Sequence, residues 1–182
     1  MTDGRPQVLV APREIHDLVF RCARVAGLDA GAADRSGRNV TAAEVHLGGA
    51  VETFASVLGD PQRLAAEFGA GPDVLVEAEV EARATGSAVA RFGVPTPLAA
   101  LASVIADIGG RGLGVDGVKV GATAATTVDE LEVTGPPPPS DGTAAVRAAR
   151  DGLAVDRVAF DALIAAARPF LVAESILDEI ED

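Results

Sequence analysis

The spacing of apolar residues changes at Gly71-Pro72, and that change divides the chain into two kinds of structure. Upstream, apolar side chains recur at helical spacing, the signature of a helix that buries one face. Downstream, from Asp73 to Arg83, they alternate. Val74, Val76, Ala78, Val80 and Ala82 face one way, and Leu75, Glu77, Glu79, Glu81 and Arg83 the other. A period of two predicts a half-buried strand. Ala84-Thr85-Gly86-Ser87 then reads as a turn, with Gly86 free to take a positive φ, and Ala88 to Phe92 as the partner strand.

Before this boundary the signals are helical. Gln7 to Val10 is a short apolar entry that reads as an edge strand. Pro12 suits a first helical turn, and Ile15, Leu18, Val19, Cys22, Val25 and Ala26 share one face of a helix over Pro12–Ala26 that Gly27 stops. Asp29 caps a second helix running towards Leu47, and Gly48-Gly49 breaks it. Val51, Phe54, Val57 and Leu58 mark a third. Asp60-Pro61 starts a short helix from Gln62 to Phe68, which Gly69 ends.

Beyond the alternating stretch, Thr96 and Pro97 read as the cap and first turn of a helix whose buried face is Leu98, Leu101, Ala102, Ile105 and Ile108, closed by Gly109-Gly110. Leu113 to Val120 and Val128 to Val133 read as strands, and Pro136 to Pro139 as a stiff polyproline stretch. Thr143 to Arg150 fits strand or helix alike. Leu153 to Val155 reads as a short strand, and Asp156 as the cap of a helix over Arg157–Ala167 that Pro169 interrupts. The tail from Glu174 to Asp182 is amphipathic and acidic.

Helices first and strands later predict an α+β fold: an N-terminal helical segment packed on a small mixed β-sheet with interspersed helices. The helical part covers residues 1–70 and the α+β part 71–182, together one compact domain, with a proline-rich linker at 135–141. The apolar fraction, 48%, is mostly Ala, Val and Leu, and six Phe supply all the aromatic bulk. Such a core requires elements that approach closely.

Charge narrows the partners. The formal net charge of −12 disfavours nucleic acid and anionic membranes, and no Lys/Arg cluster forms a basic patch. No apolar run approaches the roughly 20 residues needed to span a bilayer. Met1 to Pro6 lacks the pattern of a signal peptide. One cysteine excludes an intrachain disulfide and a cysteine-based zinc site. These features predict a soluble cytoplasmic bacterial protein.

The catalytic inventory is thin: His16, His46, Cys22 and Lys119 are the only residues of their types, and Tyr and Trp are absent. His46, in Glu44-Val45-His46-Leu47-Gly48-Gly49, ends a helix, where the dipole favours a protonated imidazole. Its functional reading is a general base or metal ligand with Glu44 or Glu52, although neither spacing is a helical pair and no third ligand is present to complete a metal site. Cys22 lies on an apolar helix face, where cysteine acts as a small hydrophobe; a nucleophile needs an electropositive, accessible setting. His16 reads as a partly exposed helix residue near Glu14 or Asp17. Gly112-Leu113-Gly114-Val115-Asp116-Gly117 spells a dinucleotide fingerprint, but a helix precedes it and a strand follows, the reverse of what that mechanism requires. Glu77, Glu79 and Glu81 form a carboxylate row whose members, about 7 Å apart on a strand, are too distant to share an ion. Thr123, Thr126 and Thr127 read as an anion-binding loop or as an ordinary loop entering a strand. No metal or cofactor is expected.

The N-terminal third resembles a bacterial family known as domain of unknown function 3726. The likeness rests on Arg13-Glu14-Ile15, on Arg21-Cys22-Ala23-Arg24-Val25-Ala26-Gly27-Leu28 and on Gly37-Arg38, with a second segment at Ala165–Ser175 resembling that family's short apolar strand and Ser/Glu turn. The family's glycine-rich end and its Trp after Ala-Gly-Leu are absent. The resemblance implies a fold and supplies no activity. The same N-terminal segment is similar to the second type of malate/L-lactate dehydrogenase, whose Ser-His-Gly corresponds here to His46-Leu47-Gly48 without the Ser; the chain is too short for that enzyme.

Two functions remain open. One is a non-catalytic accessory or structural subunit of a bacterial cytoplasmic complex, with a protein partner or a second copy of itself. The other is a small-molecule or metal-dependent enzyme or binding protein built on His46 and its neighbouring carboxylates, with Cys22 a further candidate. What separates them is whether His46 lines a concave pocket with converging polar groups.

Overall fold

Pro12 opens helix α1 (Pro12–Val25), and the Glu14 carboxylate reaches back to accept the Ala11 N–H at 2.6 Å. Ile15, Val19, Cys22 and Ala23 form its buried stripe. Asp29 caps α2 (Ala30–His46) by accepting the Ala32 N–H at 2.9 Å. The buried face of α2 is Ala32, Ala33, Ser36, Gly37, Asn39, Val40, Ala43 and Glu44, small enough for close approach by its neighbours. The closest contact is at Gly37: a Cβ there would lie 2.8 Å from His16 Cδ2 and 2.9 Å from the His16 carbonyl oxygen. The computed structural model describes residues 6–139 and 142–177, with side chains described up to residue 170.

After the Gly48-Gly49 turn come α3 (Ala50–Ala55) and α4 (Pro61–Leu64), which Asp60 caps. The expected stop at Gly69 does not occur. The helix widens into a π-helical turn over Ala65–Ala70, where the Gly71 N–H donates to the carbonyl five residues back, and continues as α5 (Gly71–Thr85). The break in pattern at Gly71-Pro72 has two other causes. Pro72 lacks an N–H, so carbonyls of the preceding turn lose a helical donor. The Ser36 hydroxyl donates to the Phe68 carbonyl at 3.4 Å, and the Arg35 guanidinium donates to the Gly69 carbonyl at 3.2 Å. Gly71 carries no side chain because a Cβ there would meet the Thr96 methyl at 3.0 Å.

The strand expected over Asp73–Arg83 is therefore α5. Its buried residues, Leu75, Ala78, Glu79 and Ala82, have helical spacing, whereas Val80 of the supposed inner face is 66% exposed. Ala, Leu, Glu and Arg favour helix, and the valines that supply the alternation do not share a buried face, since Val76 and Val80 are both exposed. The helical part thus runs to Thr85 rather than residue 70, and Gly86 takes its positive φ as the cap of α5.

Strand β2 (Ser87–Pro97) follows, then a 3-10 turn (Leu98–Ala100) and α6 (Ala102–Gly110). Thr96 is not a cap. It pairs with Val128 as β2 extends to Pro97, and the Leu98 and Ala99 N–H groups donate to the Thr126 and Ala124 carbonyls, both at 2.9 Å. These bonds hold the chain outside α6 until Ala102. Strand β3 covers only Gly114–Asp116, since Gly117 takes a positive φ of 107°. Strand β4 (Thr127–Thr134) lies between β2 and β3, antiparallel to both. Irregular chain follows from Gly135 to Pro139; residues 140 and 141 of the expected linker lie outside the described residues.

Helix α7 (Thr143–Asp151) resolves the ambiguous stretch, and β5 (Leu153–Asp156) pairs antiparallel with β1 (Gln7–Val10), Gln7 opposite Asp156. Helix α8 (Arg157–Leu177) continues through Pro169, which therefore does not interrupt it, and Ala165–Ser175 is helical rather than a strand and turn. Residues 178–182 of the acidic tail lie outside the described residues. The fold is α+β, with two small antiparallel sheets in place of one mixed sheet. One apolar core cluster runs from Val10 to Ala167, and within it Phe54 packs against Phe68, edge to face at 5.1 Å.

Glu79, buried on α5, is held by both Arg83 and Arg111, the latter just after α6, with Arg111 Nε 2.7 Å from Oε1. The Arg111 hydrogen bond, helped by Arg83, lowers its pKa from 4.5 to about 2. A depressed carboxylate stabilises the fold above its unfolded value and stops doing so as pH falls through the folded value. Urea unfolding across pH should show this contribution vanish between pH 4.5 and 2, and Glu79→Gln should be less stable at neutral pH with a flatter acid limb. At Gly37, alanine would gain about 1 kcal/mol of helix propensity. The His16 carbonyl is backbone and cannot swing aside, so Gly37→Ala is expected to destabilise by about 1–3 kcal/mol in urea titration. Gly59→Ala, with nothing within 4 Å, should change stability by no more than about 0.5 kcal/mol.

Candidate functional site

Glu44 lies in the last turn of α2, and Gly48 and Gly49, at φ of 70° and 73°, fold the chain back so that α3 begins against its carboxylate. Gly49 is the N-cap of α3 and has no side chain to accept a bond. Glu44 does so instead, accepting from the N–H of Gly49 at 3.2 Å, Ala50 at 2.7 Å and Val51 at 2.9 Å. Burial pushes its carboxyl above the usual range, and the nearby Glu52 charge adds to the rise, while the three N–H donors oppose it.

Glu52 stands in the first turn of α3, with its Oε2 buried and lacking a hydrogen-bond partner. Glu44, Gly48, Gly49 and Glu52 form one side of a recess of about 320 Å³. The other side is Gln7, Ala154 and Asp156 from the β1–β5 pair. Asp156 also caps α8, accepting the Ala159 N–H at 2.8 Å. Three carboxylates thus border one recess with no lysine or arginine in its lining. The physical result is a concave site of negative potential, able to accept hydrogen bonds and to take a positive group.

The four candidates from the sequence are not brought together. Glu44 and Glu52 share the recess. His46 is exposed at the end of α2 and is absent from the recess lining. Cys22 is buried between α1 and α8, its thiol donating to the Leu163 carbonyl at 3.1 Å, and burial pushes its pKa up to about 12. It serves as packing. Asp34 is a neighbour of His16 that spacing does not reveal: its carboxylate is 3.3 Å from Nε2, with Asp17 3.4 Å from Nδ1. The glycine run Gly112–Gly117 has α6 before it and β3 within it, and the next element along the chain is β4 rather than a helix. Glu77 and Glu81 are exposed on α5 while Glu79 is buried, so the expected row does not form. Thr126 receives the Thr123 N–H at 3.0 Å within a surface turn. Among the described residues, no three His, Cys, Asp or Glu side chains are grouped to hold a metal ion.

Sequence reasoning named Asp156 as a cap and Gln7 as the start of a strand, and missed the place of both in the recess. These residues meet Glu44 and Glu52 only because the first and fifth strands pair, and no local spacing signals that pairing. The fold and site define an α+β protein with an acidic recess. Among the described residues no helix is long and apolar enough to cross a membrane. No protein-family model, curated protein or solved structure matches the chain significantly.

A thiol this buried and this weakly acidic should resist alkylation. Iodoacetamide at mildly alkaline pH is expected to leave Cys22 unmodified in the native protein and to modify it fully in denaturant, read by intact mass.

Proposed function

We propose that this protein is a non-catalytic accessory subunit of a bacterial cytoplasmic complex, and that its acidic recess receives a basic side chain of a partner. The observation that carries this reading is the unneutralised pair Glu44 and Glu52 beside Asp156, with Glu52 Oε2 lacking a donor. A lysine or arginine head group supplies both the missing charge and the missing hydrogen bond. Catalysis is less well supported: neither the imidazole nor the thiol belongs to the recess, and Glu44 is committed to starting α3. A partner is also in keeping with exposed apolar side chains such as Leu9 on β1, 68% exposed, beside the recess strand residues Gln7 and Ala154. The cytoplasmic setting rests on charge and composition alone.

The test is a titration with acetyl-arginine amide, with acetyl-citrulline amide as its neutral isostere, followed by backbone amide chemical shifts. The arginine probe should perturb Gly48, Gly49 and Ala154, lose affinity as salt rises, and bind several-fold more weakly to Glu52→Gln. His46→Ala should bind unchanged. Equal binding of the neutral isostere, or indifference to Glu52→Gln, overturns the reading.

A further inference from the structure

A second groove, of about 630 Å³, lies away from the acidic recess, between the π-helical turn and β2. Two backbone irregularities open onto it. The π turn contributes Ala66 and Glu67. Opposite, β2 leaves its register between Arg91 and Thr96: five steps along β2 correspond to two along β4, and the displaced Val94 and Pro95 form the far wall. Single π turns within helices and bulges within strands both recur beside binding sites, because each re-aims side chains at a cost in regular hydrogen bonding.

Glu67 is the carboxylate that the π turn contributes to this groove. It is 5% exposed, and its Oε1 accepts from Arg63 Nε at 2.5 Å. Its Oε2 is buried without any hydrogen-bond partner. An acceptor oxygen left unpaired in a buried position is costly unless a donor arrives. No donor meets it in this structure: Arg63 Nε bonds the other oxygen, and Asp60, which caps α4, adds a second carboxylate to the lining. Val94, Pro95 and Ala66 give the walls an apolar character.

We propose that this groove is a binding site for a small primary alkylammonium group, whose N–H bonds go to Glu67 and whose alkyl chain lies against Val94 and Pro95. A charged nitrogen balances the two carboxylates against the single guanidinium, and a short aliphatic tail suits the walls. The site shares no residue with the acidic recess, so it stands or falls separately from the partner-binding reading.

The experiment is a titration of the full chain with n-butylammonium chloride, with butan-1-ol as the neutral control, followed by amide chemical shifts. Saturable shifts are expected at Ala66 to Ala70 and at Gly93 and Val94, with none from butan-1-ol. Glu67→Gln should bind about tenfold more weakly, as befits one charged hydrogen bond. Val94→Arg, at a surface position, should abolish binding and carries the test if Glu67→Gln does not fold. Glu52→Gln should leave these shifts unchanged. Shifts confined to the acidic recess, equal shifts with butan-1-ol, no saturation into the millimolar range, or binding that survives Val94→Arg would each overturn the proposal.

Discussion

Polar side chains of α2, most of them on its buried face, begin or complete the helices around it. Ser36 and Arg35 donate to the Phe68 and Gly69 carbonyls where the π turn runs into Pro72. Asn39, fully buried, accepts from the Ser103 N–H at 2.9 Å, the Ser103 hydroxyl at 2.7 Å and the Val104 N–H at 3.3 Å at the start of α6. Glu44 accepts three N–H groups at the start of α3. A helix terminus has orphan donors or acceptors that water cannot reach when the end is buried. On α2 the rest of the buried face is almost all alanine and glycine, so neighbouring helices come close enough for these short polar chains to reach them. The small-residue core and the buried polar network are two aspects of one arrangement.

That arrangement also explains where the recess lies. Glu44 and Asp156 are at once caps of helix starts, for α3 and α8, and walls of the acidic site. Helix N-termini attract carboxylates, and two helix starts meeting beside a two-stranded sheet bring their carboxylates together. Glu52 then has acidic company and no donor. The site's negative potential therefore follows from how the fold begins its helices.

The legible elements were those whose signals are local. Asp29 as a cap, Pro12 in a first turn, Gly27 as a stop, the strand at Val128–Val133 and the cap at Asp156 all act within a few residues, and the structure contains each of them. Four of the failures share one cause. Gly69, Gly71, Pro72 and Pro169 were read as punctuation because glycine and proline weaken isolated helices. In the folded chain, Gly71 exists for the approach of Thr96, and donors from α2 make good the bonds lost around Pro72. Valine alternation over 73–83 pointed to a strand only because nothing local says which face Leu75 and Glu79 will turn inward.

The sequence by itself determined an α+β chain rich in small residues, its early helices, and an excess of acidic over basic side chains. It also determined how few groups are available for catalysis. The tertiary structure decided which of them meet: Glu44 and Glu52 with Gln7 and Asp156, Cys22 sealed against Leu163, and His46 outside the recess. The reason is that caps and periodicity act over one turn of chain, whereas a site is assembled by strand pairing and helix packing between residues far apart in sequence. Those contacts depend on the shapes of whole elements, and no short window of residues contains that information.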